Sequence, residues 1–153
     1  MAQLFRKKKI NSRLLIGNIV AWLVIFNLGY VFHDLLLHDW FQKHIGEITR
    51  DQYIIPVIAL SFAIYTTLMS LVYPVFYSYF SEKKGLSKIK TGLITGLFFG
   101  FLWDSLQGGL IEYATYKVTL ISMLLDSLYH TIEGGIAGLI IGAFYKPQSD
   151  DKA

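Results

Sequence analysis

The chain has 153 residues, and only 16% of them are charged, whereas a soluble domain usually carries about 25% charged residues. The absence of cysteine excludes disulfides, thiolate metal sites and thiol catalysis. The net charge of +3 does not indicate nucleic-acid binding, because the basic residues lie between apolar segments and follow a membrane topology.

Four apolar segments each reach the length of about 20 residues that a helix needs to cross the hydrocarbon core of a bilayer. They extend over about residues 14–37, 54–80, 91–111 and 119–145. No small-residue cleavage site follows the basic N-terminal stretch, so the first segment is predicted to be a retained helix rather than a signal peptide. The sequence therefore predicts an all-α fold, with residues 1–153 forming one bundle of four transmembrane helices.

The basic residues fall mainly on one side of the predicted membrane. All but three of the 14 lysines and arginines lie before the first segment, between the second and third, or after the fourth; the exceptions are Lys43, Arg50 and Lys117. Under the positive-inside rule, this distribution predicts that both termini lie in the cytoplasm. The predicted location is a bacterial inner membrane, and the predicted partner is the lipid bilayer rather than a nucleic acid.

Glycines recur at every fourth position in the third and fourth segments. Residues four apart stack on one ridge of a helix, and small residues on such a ridge let two backbones approach closely in lipid. With about 1.5 Å of rise per residue, Gly96 and Gly138 lie at similar depth, as do Gly100 and Gly134. The predicted helix-packing residues are Gly92, Gly96, Gly100, Gly108, Gly134, Gly138 and Gly142.

Both glycine ridges lead into ionisable residues. Asp126, His130 and Glu133 share a broad face of the fourth helix, and Asp104 of the third helix lies at the depth of His130. A charge at the bilayer centre costs at least about 2.5 kcal/mol, so these side chains are predicted to point into the bundle, with His130 facing Asp104. The predicted intramembrane polar cluster consists of Asn27, Asp104, Gln107, Asp126, His130 and Glu133.

The cluster is compatible with a structural role or with transport. Polar contacts can simply join helices, and the glycine ridges would then serve assembly of a homo-oligomer or of a larger membrane complex. Carboxylate–histidine chains also mark proton and cation pathways, and a shared proton or a bound cation is more natural than three buried anions beside one histidine. The sequence favours a protein for proton- or cation-coupled transport.

An intramembrane enzyme is a third hypothesis. Asp104, Asp126, His130 and Glu133 offer oxygen and imidazole ligands, which suit a divalent metal such as Mn, Fe or Zn as cofactor. No nucleophile motif, phosphate-binding loop or zinc-protease motif accompanies them, so the sequence favours transport over catalysis.

The stretch after the first apolar segment contains a run of histidines and aspartates. These residues could bind a metal ion, but a solvated polar loop is the commoner origin of such a run. The sequence therefore favours a solvated outer loop for His33, Asp34, His38, Asp39 and His44.

The second half of the chain, which includes the letters "YATY", resembles a group of uncharacterised bacterial four-helix membrane proteins. Those proteins have a glycine-rich third helix and a fourth helix that opens with "LTLVD" before an aromatic residue. The matching residues are Gly96, Gly100, Tyr113, Ala114, Thr115, Tyr116, Thr119, Leu120, Asp126 and Tyr129. The pattern differs at Lys117, Val118 and Thr119, and His130 and Glu133 are additional. The resemblance implies four helices and an inner-membrane location, and it brings no activity with it.

Overall fold

The computed structural model describes residues 12–45, 54–103, 109–116 and 118–147. Every regular element in these ranges is a helix, which confirms the predicted all-α class. The first is α1 (Ser12–Tyr30), which continues directly into a π-helical segment (Val31–Leu36). The others, in chain order, are α2 (His38–Ile45), α3 (Ile55–Lys84), α4 (Lys88–Gly100), α5 (Leu110–Thr115) and α6 (Leu120–Phe144).

Two described helices are long and apolar enough to cross a membrane, and they comprise Ser12–Leu36 and Ile55–Ser81. The sequence predicted four spans, so length and composition support two of the four. α6 has 25 residues and is long enough, but it is not one of these two helices, and it carries Asp126, His130 and Glu133. The predicted span 91–111 includes positions 104–108, which lie outside the described residues.

Local signals in the sequence determine where the helices begin and end. α3 stops at Gly85, whose φ of 62° lies in the left-handed region that favours glycine. The Ser87 hydroxyl starts α4 by accepting a hydrogen bond from the backbone N–H of Lys90 (3.3 Å). The Thr119 hydroxyl starts α6 in the same way, because it accepts one from the N–H of Ser122 (3.2 Å).

α4 and α6 pack antiparallel, with backbone against backbone. A Cβ atom built on Gly96 would overlap the carbonyl oxygen of Gly134, and one built on Gly138 would overlap that of Gly92. A Cβ atom on Gly100 would overlap the carbonyl oxygen of His130. Such an approach is open only to glycine, and it lets dispersion forces act along the whole seam.

Lys88 joins the end of α6 to the start of α4. Its ammonium group donates hydrogen bonds to the carbonyl oxygens of Ala143 (2.9 Å) and Tyr145 (3.2 Å). These carbonyls belong to the last turn of α6, where a cation is favoured by the helix dipole. The Tyr73 hydroxyl of α3 donates to the backbone carbonyl of Lys88 (2.5 Å), so three helices meet at this point.

α1 packs antiparallel on α6 through small residues spaced four apart. The buried residues of α1 are Gly17, Ala21, Ile25 and Gly29. A Cβ atom on Gly17 would contact Phe144 near the end of α6, and one on Gly29 would lie 3.9 Å from a carboxylate oxygen of Glu133 near its middle. The next position in this series is His33, which the ridge therefore directs towards the first half of α6.

The interior holds polar side chains, while many large apolar side chains face outwards. Leu124, Leu128 and Ile132 of α6 are each more than half exposed, whereas the neighbouring Glu133 is 2% exposed. This distribution reverses the pattern of a water-soluble helix, which buries its apolar face.

Candidate functional site

Four ionisable side chains meet where the π-helical segment reaches α6. His33 Nε2 lies 3.6 Å from Asp126 Oδ1, and His130 Nε2 lies 3.8 Å from Asp126 Oδ2. His130 Nδ1 lies 2.8 Å from Glu133 Oε2. Asp126 therefore lies between two imidazole rings, and the second ring connects it to Glu133.

Glu133 is the most deeply buried member of this cluster. It is 2% exposed and lies close to the middle of α6. The Tyr129 hydroxyl donates a hydrogen bond to Oε1 (2.7 Å), and Oε2 is the oxygen next to His130 Nδ1. If Glu133 is ionised, it can only accept hydrogen bonds, and the proton between Nδ1 and Oε2 then belongs to the imidazole. In a neutral ring with its proton on Nδ1, the other nitrogen of His130, Nε2, presents its lone pair to Asp126.

Aromatic stacking positions His33. The Phe32 ring stacks on the Tyr129 ring with centroids 3.9 Å apart and planes 9° from parallel. The Phe41 ring of α2 also contacts the His33 ring, with centroids 4.9 Å apart. The backbone N–H of Leu37 donates to the carbonyl of Phe32 (3.0 Å), which is the five-residue hydrogen bond of a π-helix. Such turns are rare and are frequently found at functional sites.

Three members of the cluster are partly exposed and close enough together to share a cation. The side chains of His33, Asp126 and His130 are 32%, 25% and 22% exposed, so they are accessible, while Glu133 behind them is not. One potential ligand atom from each of the three lies within 4.8 Å of the other two. Two imidazoles and a carboxylate at this separation can coordinate a single metal ion.

A cavity of about 320 Å³ adjoins the cluster on the side of α3. His130 and Glu133 form one wall, and the aromatic rings of Phe62, Tyr65 and Trp103 form much of the rest. The ring centroids of Tyr65 and Trp103 are 5.5 Å apart. The cavity lies against His130 and Glu133 on a side that His33 does not cover.

Buried hydroxyls continue from this cavity towards the last turn of α6. The Tyr65 hydroxyl lies beside Gly134, and the Tyr73 hydroxyl lies beside Gly142. Three further hydroxyls make no hydrogen bond to another described residue, and they belong to Ser70 of α3 and to Thr91 and Thr95 of α4. Buried polar groups normally have hydrogen-bond partners, so each of these hydroxyl groups can still donate or accept a hydrogen bond.

The structure brings together some of the predicted cluster residues. Asp126, His130 and Glu133 contact one another as their spacing on a helix predicts. Asn27 does not join them, because its side chain is exposed and donates to the carbonyl of Leu23 on its own helix (2.7 Å). Asp104, Gln107 and Gly108 lie outside the described residues, so the contact between His130 and Asp104 stays a prediction.

The prediction that the histidine-rich stretch is a solvated loop is wrong for His33. It belongs to the helical continuation of α1 and contacts α6, whereas His38 and Asp39 are exposed on α2. His44 packs on Trp40, and its Nδ1 lies 2.7 Å from the Trp40 carbonyl.

The sequence contains a signal for the position of His33. Small or buried residues recur every four positions from Gly17 to Gly29, and the same interval leads to His33. The same four-residue interval connects the glycine ridges of the third and fourth segments to Asp104 and His130. Tyr129 was also missed, because an aromatic residue beside an ionisable one gives no sign of a hydrogen bond to Glu133.

The fold and the cluster define a class: a small helical protein with two helices suited to a membrane and a buried acid–imidazole network. No family model, curated protein or solved structure matches the chain.

Proposed function

We propose that the chain is a four-span protein of a bacterial inner membrane, with both termini in the cytoplasm, and that it carries a cation across the membrane. His33, Asp126, His130 and Glu133 are the residues through which the cation passes. The observation that carries this proposal is the burial of Glu133 near the middle of α6, in contact with a chain of titratable groups.

A purely structural role is a weaker account of this cluster. Polar contacts that join membrane helices contribute about 0.6 kcal/mol on average, and uncharged groups such as asparagine or serine suffice for them. A carboxylate at the bilayer centre is among the costliest groups to insert, and ionisable residues there mark ion and proton pathways. Asp126 and Glu133 are two such groups on one helix, and each has an imidazole beside it.

The positions of polar groups support a route through the bundle. With about 1.5 Å of rise per residue, Asp126 lies about 9 Å and Glu133 about 20 Å from the start of α6. The exposed edges of His33 and Asp126 receive the cation from outside. Beyond Glu133, the hydroxyls of Tyr65, Ser70 and Thr95 offer oxygen atoms on the way to the cytoplasm.

The membrane placement of α6 is supported by its outer surface. Leucines and isoleucines cover the side of α6 that faces away from the bundle, and Asp126, His130 and Glu133 face inwards. A helix of this kind is stable in lipid, because its ionisable residues are shielded by its neighbours. The resemblance to uncharacterised bacterial four-helix membrane proteins agrees with this arrangement.

Reporter fusions test the topology. Fusions after Lys90 and at the C-terminus are expected to report the cytoplasm, and a fusion after Lys43 is expected to report the outside. Reporters that are active only in the cytoplasm or only in the periplasm give the readout. A C-terminus in the periplasm would contradict the four-span arrangement, because an even number of spans returns the chain to its starting side.

Flux measurements with Asp126→Asn test the transport proposal. The purified protein is reconstituted in liposomes that contain a pH-sensitive dye or a divalent-metal-sensitive dye. Wild type is expected to pass protons or metal ions, and Asp126→Asn is expected to slow this flux at least about tenfold, because loss of the charge raises the barrier by more than about 1.4 kcal/mol. Asp39→Asn, at an exposed position of α2, is the matched control and should retain the flux.

The same experiment separates transport from assembly. If wild-type liposomes pass neither ion, the transport proposal fails. If wild type and Asp126→Asn pass ions equally, the route does not use this cluster. A wild type without flux that purifies only with a second membrane protein would favour the role of an assembly subunit.

A further inference from the structure

We propose that His33, Asp126 and His130 form a binding site for a divalent transition-metal ion, with Glu133 as the residue that orients His130. The inference rests on the proposed function, because it names the class of cation that the protein would carry. The metal-binding site itself is a property of the folded protein and can be measured without any transport.

The distances between the ligand atoms fit a single metal ion after small movements. Zn–N and Zn–O bonds of about 2.0–2.2 Å with tetrahedral angles place neighbouring ligand atoms about 3.4 Å apart. His33 Nε2 lies 3.6 Å from Asp126 Oδ1, and His130 Nε2 lies 3.8 Å from Asp126 Oδ2. Each of these two gaps exceeds the ideal separation by less than half an ångström, but they run to different oxygens of Asp126. Because the ligand atoms of the three residues lie within 4.8 Å of one another, side-chain rotations must supply shifts of up to about 1.4 Å.

The hydrogen bond between His130 and Glu133 has the form of a metal site's outer shell. Metal-binding histidines almost always donate their other N–H to a carboxylate or a carbonyl, which fixes the tautomer and makes the ligand more basic. Here Nδ1 of His130 is paired with Glu133 at 2.8 Å, and Glu133 is held in turn by the Tyr129 hydroxyl at 2.7 Å. The atom left facing Asp126 is Nε2, which is the atom a metal would use.

The charges of the cluster favour a divalent cation over a monovalent one. If both carboxyl groups are ionised and both imidazoles are neutral, Asp126 and Glu133 carry two negative charges, and desolvation of the buried Glu133 is costly. One divalent ion neutralises both. Two imidazole ligands favour ions such as Zn²⁺, Fe²⁺, Co²⁺ or Ni²⁺, whereas Mg²⁺ and Ca²⁺ prefer oxygen ligands alone.

Three protein ligands leave at least one coordination position open. Structural zinc sites are usually closed by four protein ligands, whereas sites that exchange a ligand keep a position for water. The side chains of His33, Asp126 and His130 are between one fifth and one third exposed, so water and an incoming ion can reach them. The site is therefore suited to an ion that enters and leaves.

Cobalt titration of the detergent-solubilised protein tests the site. The protein is purified without a polyhistidine tag, and Co²⁺ binding is followed by its visible absorption and by metal analysis after gel filtration. Wild type is expected to bind one Co²⁺ per chain, and Zn²⁺ is expected to displace it. His33→Ala and Asp126→Asn are expected to weaken binding at least about 100-fold, because each removes a ligand rather than an outer-shell partner.

Exposed residues of α2 supply matched controls. His38→Ala and Asp39→Asn remove the same chemical groups outside the cluster and should bind Co²⁺ like wild type. Circular dichroism and gel filtration verify that each variant is folded, and His33→Gln replaces any His33→Ala protein that is not. Wild type without stoichiometric binding, or folded His33 variants with unchanged affinity, would overturn the proposal.

The outcomes also separate this inference from the transport proposal. Stoichiometric Co²⁺ binding without any flux in liposomes would leave the metal site standing and remove transport. Proton flux in a protein that binds no metal would leave transport standing and remove the metal site.

Discussion

Replacing Gly96 with alanine is expected to force α4 away from α6 and to destabilise the protein by about 3 kcal/mol or more. The added methyl group would overlap the carbonyl oxygen of Gly134, and a backbone atom cannot rotate away as a flexible side chain can. Thermal unfolding in detergent, followed by circular dichroism, should show a Tm that is lower by about 6 to 12 °C.

Gly29→Ala provides the matched control for this substitution. Gly29 is also a buried glycine in a helix, but a methyl group there would meet its nearest neighbour, the Phe62 ring, at an ordinary 3.5 Å. Alanine also favours the helix over glycine by about 0.5–1 kcal/mol, so Tm should stay constant or rise. If Gly96→Ala and Gly29→Ala have the same Tm, the close approach of α4 and α6 is not a major source of stability.

The antiparallel register of α4 and α6 is the part of the site region that the sequence predicts best. A four-residue repeat of glycines gives the contacting ridge, and equal rise from both helix ends gives the depth. In the structure Gly96 lies between Gly134 and Gly138, and Gly100 lies beside Gly134. Backbone contact leaves few alternative registers, because a shift by one residue would place a larger side chain where only glycine fits.

Depth along a helix does not determine which side of the helix a residue occupies. Asn27 has the depth of the cluster, but the buried ridge of α1 passes through Ile25 and Gly29, two residues to either side. At about 100° per residue, Asn27 lies nearly opposite that ridge. Its exposed amide follows from this geometry, and the ridge, once recognised, would have placed it correctly.

The four-residue ridge of α1 indicates the side of the helix on which His33 lies, but the contacts that hold His33 in place come from distant parts of the chain. The π-helical segment adds a residue to the turn. Sequence signals for such a turn are weaker than those for the ends of helices. Stacking of Phe32 on Tyr129, almost a hundred residues away, holds the segment in place. The polar character of the residues after His33 favoured a loop, because solvated runs are commoner than sites.

The sequence predicted four membrane-spanning helices, whereas length and composition support two of the described helices as spans. α6 carries Asp126, His130 and Glu133, and it is not among the two helices that length and composition support as membrane spans. Ionisable residues in a helix lower the hydropathy by which a membrane span is recognised from sequence. The exposed leucines of α6 and its buried carboxylate are visible only when the orientation of the helix is known.

Glu133→Gln is expected to weaken metal binding about 10- to 100-fold while leaving the fold intact. Glutamine has the same shape as glutamate, but its single oxygen can face either Tyr129 or His130, and its amide nitrogen then faces the other residue. If its amide nitrogen faces His130, Nδ1 must become an acceptor and the proton moves to Nε2, which can then no longer bind a metal. If its amide oxygen faces His130, the hydrogen bond loses its charge and about half its strength, so Nε2 becomes a poorer ligand.

Co²⁺ titration and thermal unfolding of the same preparations give the measurement for Glu133→Gln. Because the buried charge is removed, Tm should not fall, and a lower affinity at unchanged Tm identifies Glu133 as a positioning residue rather than a structural one. Tyr129→Phe removes only the hydroxyl that holds Glu133 and should reduce the affinity less. An affinity of Glu133→Gln equal to that of wild type would show that the hydrogen bond at 2.8 Å does not set the orientation of His130.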